Sequence, residues 1–174
     1  MFSKHKNNFI FDNEGSEKLK AELLERFLRY VALESQSNAG ETKVPSSLGQ
    51  LELAKLLKKE LLEFGLLDIQ INEFGVLQAY LPSNQPDINT PKIGFVCHLD
   101  TVDVGLSGSI KPQVIKNYDG KDICQNPTEQ IYLSTEEHPE ILKYIGDDII
   151  ISDGTSVLGA DNKAAIANVM TLLN

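Results

Sequence analysis

What the sequence has little of narrows its reading before any motif is considered. Cysteine occurs only twice, at Cys97 and Cys124, too few for a disulfide scaffold and no reason to require an oxidising compartment. Basic residues are in the minority: sixteen Lys and Arg against twenty-five Asp and Glu leave a net charge of −9. A surface that negative repels phosphate backbones, so neither nucleic acid nor an anionic membrane is expected as a partner. No apolar run approaches the ~18 residues of a membrane span. The opening MFSKHKNNFI lacks the apolar stretch of a secretory signal. There is no internal repeat and no linker. What remains is an ordinary globular balance, 41% hydrophobic and 24% charged over 174 residues, which is one domain's worth. The expectation is a soluble, cytoplasmic protein.

Residues 1–15 are polar and aperiodic apart from Phe9–Phe11, and read as a loose N-terminal arm. Ser16 can cap a helix carrying Leu19, Leu23, Leu24, Phe27 and Val31 at helical spacing, a core-packing stripe. A polar loop, Ser35 to Pro45, leads to a second helix predicted from Ser46 or Ser47 to Gly65. Its expected buried stripe is Leu51, Ala54, Leu57 and Leu61, with Lys55, Lys58, Lys59 and Glu60 facing water. Asp68–Asn72 and Val76–Leu81, joined by a turn at Glu73–Gly75, read as a hairpin. Ser83 to Pro91 is a loop. Lys92–Cys97 is nearly continuously apolar, the pattern of a central strand covered on both faces. A glycine-containing loop at Gly105–Gly108, strands at Gln113–Lys116 and Ile149–Ser152, and a turn at Tyr118–Lys121 follow. The last helix is predicted over Asn162–Leu173, with Ala165, Ile166, Val169 and Leu172 on one face. Helices alternating with buried strands indicate an α/β sandwich.

Two places can carry chemistry. In an extended Cys97–Thr101, His98 and Asp100 project to the same side, so the carboxylate can accept one ring N–H and leave the other nitrogen for a metal. Alone, a histidine at a strand end is more often structural. The second place is Ser152–Lys163, where Gly154 and Gly159 have the G-x-x-x-x-G spacing of a phosphate loop. The next positions should then be Lys and Ser or Thr, but they are Ala160 and Asp161, and a carboxylate repels phosphate. Asp161 at a helix N-terminus can hold a cation or act as a plain cap. If the two strands share a sheet, His98 and Asp161 converge. One imidazole and one carboxylate suit zinc, cobalt or manganese better than calcium. Two ligands fall short of a catalytic zinc site, which takes about three and an open position. Glu136–Glu137–His138 is not the missing set: Ser134–Glu137 reads as a capping box with Pro139 in the first helical turns, and neighbours on a helix diverge by ~100°. His5 lies in the arm. Cys97 should face away from His98 as a small buried hydrophobe.

His98-Leu-Asp100-Thr101 followed by Gly159-Ala-Asp161-Asn162-Lys163 resembles the metal-binding signature of the co-catalytic zinc exopeptidases and deacylases. Val44-Pro-Ser-Ser-Leu-Gly-Gln50, Pro112-Gln-Val-Ile, Asn117-Tyr-Asp-Gly120 and Thr155-Ser-Val-Leu-Gly-Ala160 narrow the resemblance to peptidase T, the bacterial tripeptide aminopeptidases. It runs from about Ala21 to the last residue. It implies a three-layer αβα sandwich with a mixed, mostly parallel sheet, of which residues 16–174 would be a partial catalytic domain. It implies that His98 binds one of two zinc ions, that Asp100 is the acidic residue orienting it, and that Asp161 bridges both. It also implies a cis peptide at Asp161–Asn162, with asparagine standing where the family usually has aspartate. The family's reaction is metal-assisted hydrolysis of a tripeptide from its free N-terminus, with a proton taken by the first glutamate of a Glu-Glu pair beyond the bridging aspartate. Only thirteen residues follow Asp161 here, without that pair, the remaining ligands or the inserted lid and dimer domain. The chain is therefore expected to be an incomplete enzyme, inactive alone, with exposed hydrophobic surface and homodimerisation left to the full-length protein. Other readings are a related zinc deacylase or dipeptidase, or a non-catalytic domain that kept the fold.

Overall fold

A computed structural model describes residues 13–85 and 91–174; the predicted N-terminal arm lies almost wholly outside the described residues, as does most of the Ser83–Pro91 loop. The first helix, α1 (Asn13–Val31), begins three residues before Ser16, with Glu14 in its first turn where the helix dipole favours a carboxylate. Phe27, Tyr30 and Val31 are buried, continuing the predicted stripe. The second helix, α2 (Leu48–Glu63), has Ser47 at its N-cap, and Gly65 follows in the left-handed conformation.

Leu53, Ala54, Leu57 and Leu61 form the buried face of α2 together with Glu60, which does not face water as expected. Three residues of α1 reach it. Arg26 Nη1 lies 2.8 Å from Glu60 Oε2, Arg29 Nη2 3.0 Å from Oε1, and the Tyr30 hydroxyl donates to Oε2. Arg26 also pairs with Glu22 at 2.8 Å and stacks over the Phe64 ring. Helical periodicity placed Glu60 on the polar side; the facing arginines of α1 make its burial affordable because the charge is paired on both oxygens. Burial, reinforced by the bond to Glu60, pushes the Tyr30 hydroxyl up to about 12.

The chain then forms an antiparallel hairpin, β1 (Leu67–Ile71) with β2 (Leu77–Tyr80), pairing Ile71 with Leu77 and Leu67 with Tyr80. Asn72 closes its turn, its side-chain oxygen accepting from the N–H groups of Phe74 and Val76. β3 (Gln113–Ile115) pairs antiparallel with β6 (Ile149–Ile151), and β4 (Ile123–Asn126) with β5 (Ile131–Leu133). The β4–β5 hairpin has no counterpart in the sequence reading. A 3-10 turn over Pro139–Tyr144 starts at the predicted proline, but Ser134 is not its cap: its hydroxyl accepts from the Glu136 N–H in a local turn, and His138 occupies the N-cap position.

The last helix, α3 (Ala160–Leu173), buries Lys163, Ile166, Ala167 and Met170. Its buried stripe is thus rotated from the predicted one, and Leu172 is exposed. α3 packs on α1, and α2 on β1. The main core joins Phe27, Tyr30, Leu53, Leu57, Ile166 and Met170; a smaller one gathers Tyr118, Ile123, Ile141 and Ile151 around β3–β6.

The chain is mixed helix and strand, an α/β fold, but its three sheets among the described residues are two-stranded and antiparallel. The one parallel pairing among the described residues is an isolated bridge between Gln36 and Thr101. Lys92–Cys97 is not a strand: nothing among the described residues pairs with its backbone, and Ile93 and Val96 are 81% and 98% exposed. An apolar run specifies burial, but a strand exists only where a neighbour supplies the ladder.

Replacing Glu60 with alanine strands Arg26 in a buried position, and urea denaturation should register a loss of about 3 kcal/mol. A loss below about 1 kcal/mol would show that the α1–α2 tie is not a principal stabiliser.

Candidate metal-binding site

The site forms where three backbone segments meet. Thr101 donates its N–H to the Ser35 carbonyl and accepts from the Ser37 N–H, and the buried Ser35 hydroxyl donates to the Leu99 carbonyl at 2.8 Å. These bonds hold Leu99–Thr101 alongside the loop that follows α1. The start of α3 is fixed from the other side. Lys163 is fully buried, and its ammonium donates to the Leu33 carbonyl at 2.6 Å; burial pushes its pKa down to about 8. Gly159 has φ +74° and its Cα faces Thr101 so closely that a Cβ would lie 2.8 Å from the Thr101 methyl, so both conformation and space call for glycine.

This framework brings the three sequence-predicted site residues together. His98 Nε2 lies 2.9 Å from Asp161 Oδ1. On the other side of the ring, Nδ1 lies 3.2 Å from Asp100 Oδ1 and 3.0 Å from the Asp100 carbonyl oxygen. The Asp161–Asn162 peptide is cis, as the resemblance implies. The His98 pKa is raised: partial burial works against the charge, but the Asp161 hydrogen bond and the negative charge of Asp100 outweigh it. A carboxylate oxygen thus faces each ring nitrogen.

The remaining candidates stand apart. His138 Nδ1 faces Glu140 at 3.2 Å on the exposed 3-10 turn. Cys97 is half-buried and packs against the main core, with burial raising its thiol pKa. His5 lies outside the described residues. Nearby, Asp153 is buried, accepts from the Thr155 backbone and hydroxyl and pairs with Lys111 at 3.3 Å, which stiffens the loop leading into α3. Ser35, Thr101 and Lys163 were not singled out for a role in the sequence. Only Lys163 carries a usable signal, a lysine in register with the apolar stripe of α3.

The donors fit a transition metal in kind, one imidazole and one carboxylate with the second carboxylate behind the ring. They fall short in number, since the described residues contain no group of three His, Cys, Asp or Glu placed to hold an ion.

No family model matches the chain. A peptidase T-like protein of Yersinia pestis is 54% identical over 155 residues, which is 89% of this chain and 37% of that protein. A peptidase T-like protein of Rhizobium meliloti is 52% identical over 156 residues, and a peptidase T of Listeria welshimeri 44% identical over 156, each match covering 90% of this chain and 38% of the relative. The chain therefore spans little more than a third of the length of the curated relatives it matches. Over about nine-tenths of its own length the chain is similar to peptidases named peptidase T or peptidase T-like.

The raised His98 pKa fixes a pH signature. A group whose folded pKa is raised contributes to the folded state below the ordinary imidazole value, and that contribution fades as pH rises through the folded pKa. In an NMR titration His98 should lose its proton above the ordinary imidazole range, and Asp161→Asn should move that midpoint down. An unchanged midpoint in Asp161→Asn would mean that the 2.9 Å contact does not exist in solution.

Proposed function

We propose that these residues furnish part of the active site of a zinc-dependent tripeptide aminopeptidase. The carrying observation is the His98–Asp161 pair at 2.9 Å with Asp100 on the opposite ring nitrogen. His98 would hold one metal ion through its imidazole. Asp100 holds the ring in orientation through Nδ1 and strengthens it as a ligand. Asp161, with its carboxylate 94% exposed at the start of α3, would hold metal beside His98. When bound, the metal pair would polarise a scissile carbonyl and lower the pKa of a water. Tripeptides as substrates, dimerisation of the complete enzyme and a cytoplasmic location are parts of the same reading; among the described residues no helix is long and apolar enough to cross a membrane. The net charge of −9 argues against nucleic acid and anionic membranes as partners.

The fold completes the proposal. On this reading residues 16–174 are part of a three-layer αβα catalytic domain with a mixed, mostly parallel sheet, in which Lys92–Cys97 would become a central strand once neighbours were supplied.

With two donors, the 174-residue chain should bind zinc weakly and hydrolyse no tripeptide. Calorimetry should show binding that falls at least tenfold in Asp161→Ala. Tight uptake of two zinc ions per chain, or tripeptide turnover that is lost in Asp161→Ala, would contradict this division of the site.

A further inference from the structure

Asp161 is the less secured half of the ligand pair. Its backbone, at φ −85° and ψ 104°, and that of Asn162, at φ −117° and ψ 15°, leave the helical conformation inside α3, so the helix ladder does not fix it. Its carboxylate is 94% exposed. What secures it lies two residues away on each side. Gly159 rests against the Thr101 methyl, and Lys163 reaches the Leu33 carbonyl. We propose that Lys163 is a positioning residue for the metal site: its ammonium, by holding the loop after α1, sets Asp161 against His98 without itself binding an ion. The inference rests on the metal-site reading proposed above.

Three observations separate this role from ordinary packing. The contact at Gly159 is steric: it stops the two segments from approaching further but does not hold them together, whereas the 2.6 Å bond to Leu33 does. Leu33 lies two residues beyond the end of α1 and two before Ser35, whose hydroxyl and carbonyl hold Leu99 and Thr101. One short loop therefore carries both His98 and Asp161, and a change at Lys163 is passed to their separation. Finally, Lys163 is fully buried on the apolar stripe of α3. A core position takes an apolar side chain at a lower desolvation cost, so packing alone does not call for an ammonium there.

The test uses the isotope-labelled 174-residue chain, with zinc as the probe. In the native chain the 2.9 Å pair should give a nuclear Overhauser effect between the His98 ring and the Asp161 β-protons. Lys163→Met keeps the apolar stem and removes the ammonium. That effect should vanish, and the zinc dissociation constant, read from the His98 ring signals, should rise about tenfold. Lys163→Gln, one atom too short for the Leu33 bond, should do the same where the methionine variant does not fold. Met170→Ala, buried on the same helix but remote from Asp161 in sequence, should lower the melting temperature and leave both readouts unchanged. Lys163 variants that keep the contact and the affinity, or an equal loss in Met170→Ala, would overturn the proposal. So would a native chain that lacks the contact. Failure of both Lys163 variants to fold would assign the lysine to the fold instead, and would overturn it too. A native chain that shows the contact while its His98 signals ignore zinc would overturn the peptidase reading, and the contact in the Lys163 variants would still decide the role of the lysine.

Discussion

The bond on which the site depends is the one from Lys163 to the Leu33 carbonyl, 2.6 Å long and buried. An ammonium group taken out of water without full compensation is costly, and here the cost is met by what it joins. It ties the start of α3 to the loop after α1, the loop whose Ser35 and Ser37 hold the Leu99–Thr101 segment. Gly159 brings the two segments into van der Waals contact at Thr101. His98 and Asp161, sixty-three residues apart, meet because both ends of this bracket are fixed.

A second polar tie joins the C-terminal turns of α1 to α2. Glu60 accepts from three residues of α1, so the α1–α2 packing is specified by charge geometry and not only by the leucines between them. The main apolar core is closed by the helices, while Ile93, Phe95 and Val96 stay exposed. The His98–Asp161 pair follows directly on the Lys92–Cys97 segment. An incomplete donor set and an uncovered apolar segment therefore share one location.

Much of the helical structure was legible from periodicity. α1, α2 and α3 lie where apolar spacing puts them, and the β1–β2 hairpin and the β3 and β6 strands follow from short β-rich runs bounded by turn residues. The errors have particular causes. Glu60 was assigned to solvent because a single helix cannot show the arginines that face it. The stripe of α3 was misjudged because Lys163 counts as polar in any pattern, although its long apolar stem packs inward. The β4–β5 hairpin, with Cys124 and Gln125 at its centre, offers no alternation strong enough to announce itself.

The sequence by itself determined the residue types of the site and their local order: a histidine with a carboxylate two residues on, and an aspartate behind a left-handed glycine. These are short-range relations, set by strand geometry and by the conformations that glycine permits. The apolar run of the sequence also suggests that Lys92–Cys97 is a covered central strand, whereas Ile93 and Val96 are exposed. Only the tertiary structure decided that His98 and Asp161 lie 2.9 Å apart, that Lys163 is an internal strut, and that the apolar segment has no ladder partner among the described residues. Pairing, burial of a charge and convergence of distant residues depend on what lies opposite, and no local pattern contains its own opposite face.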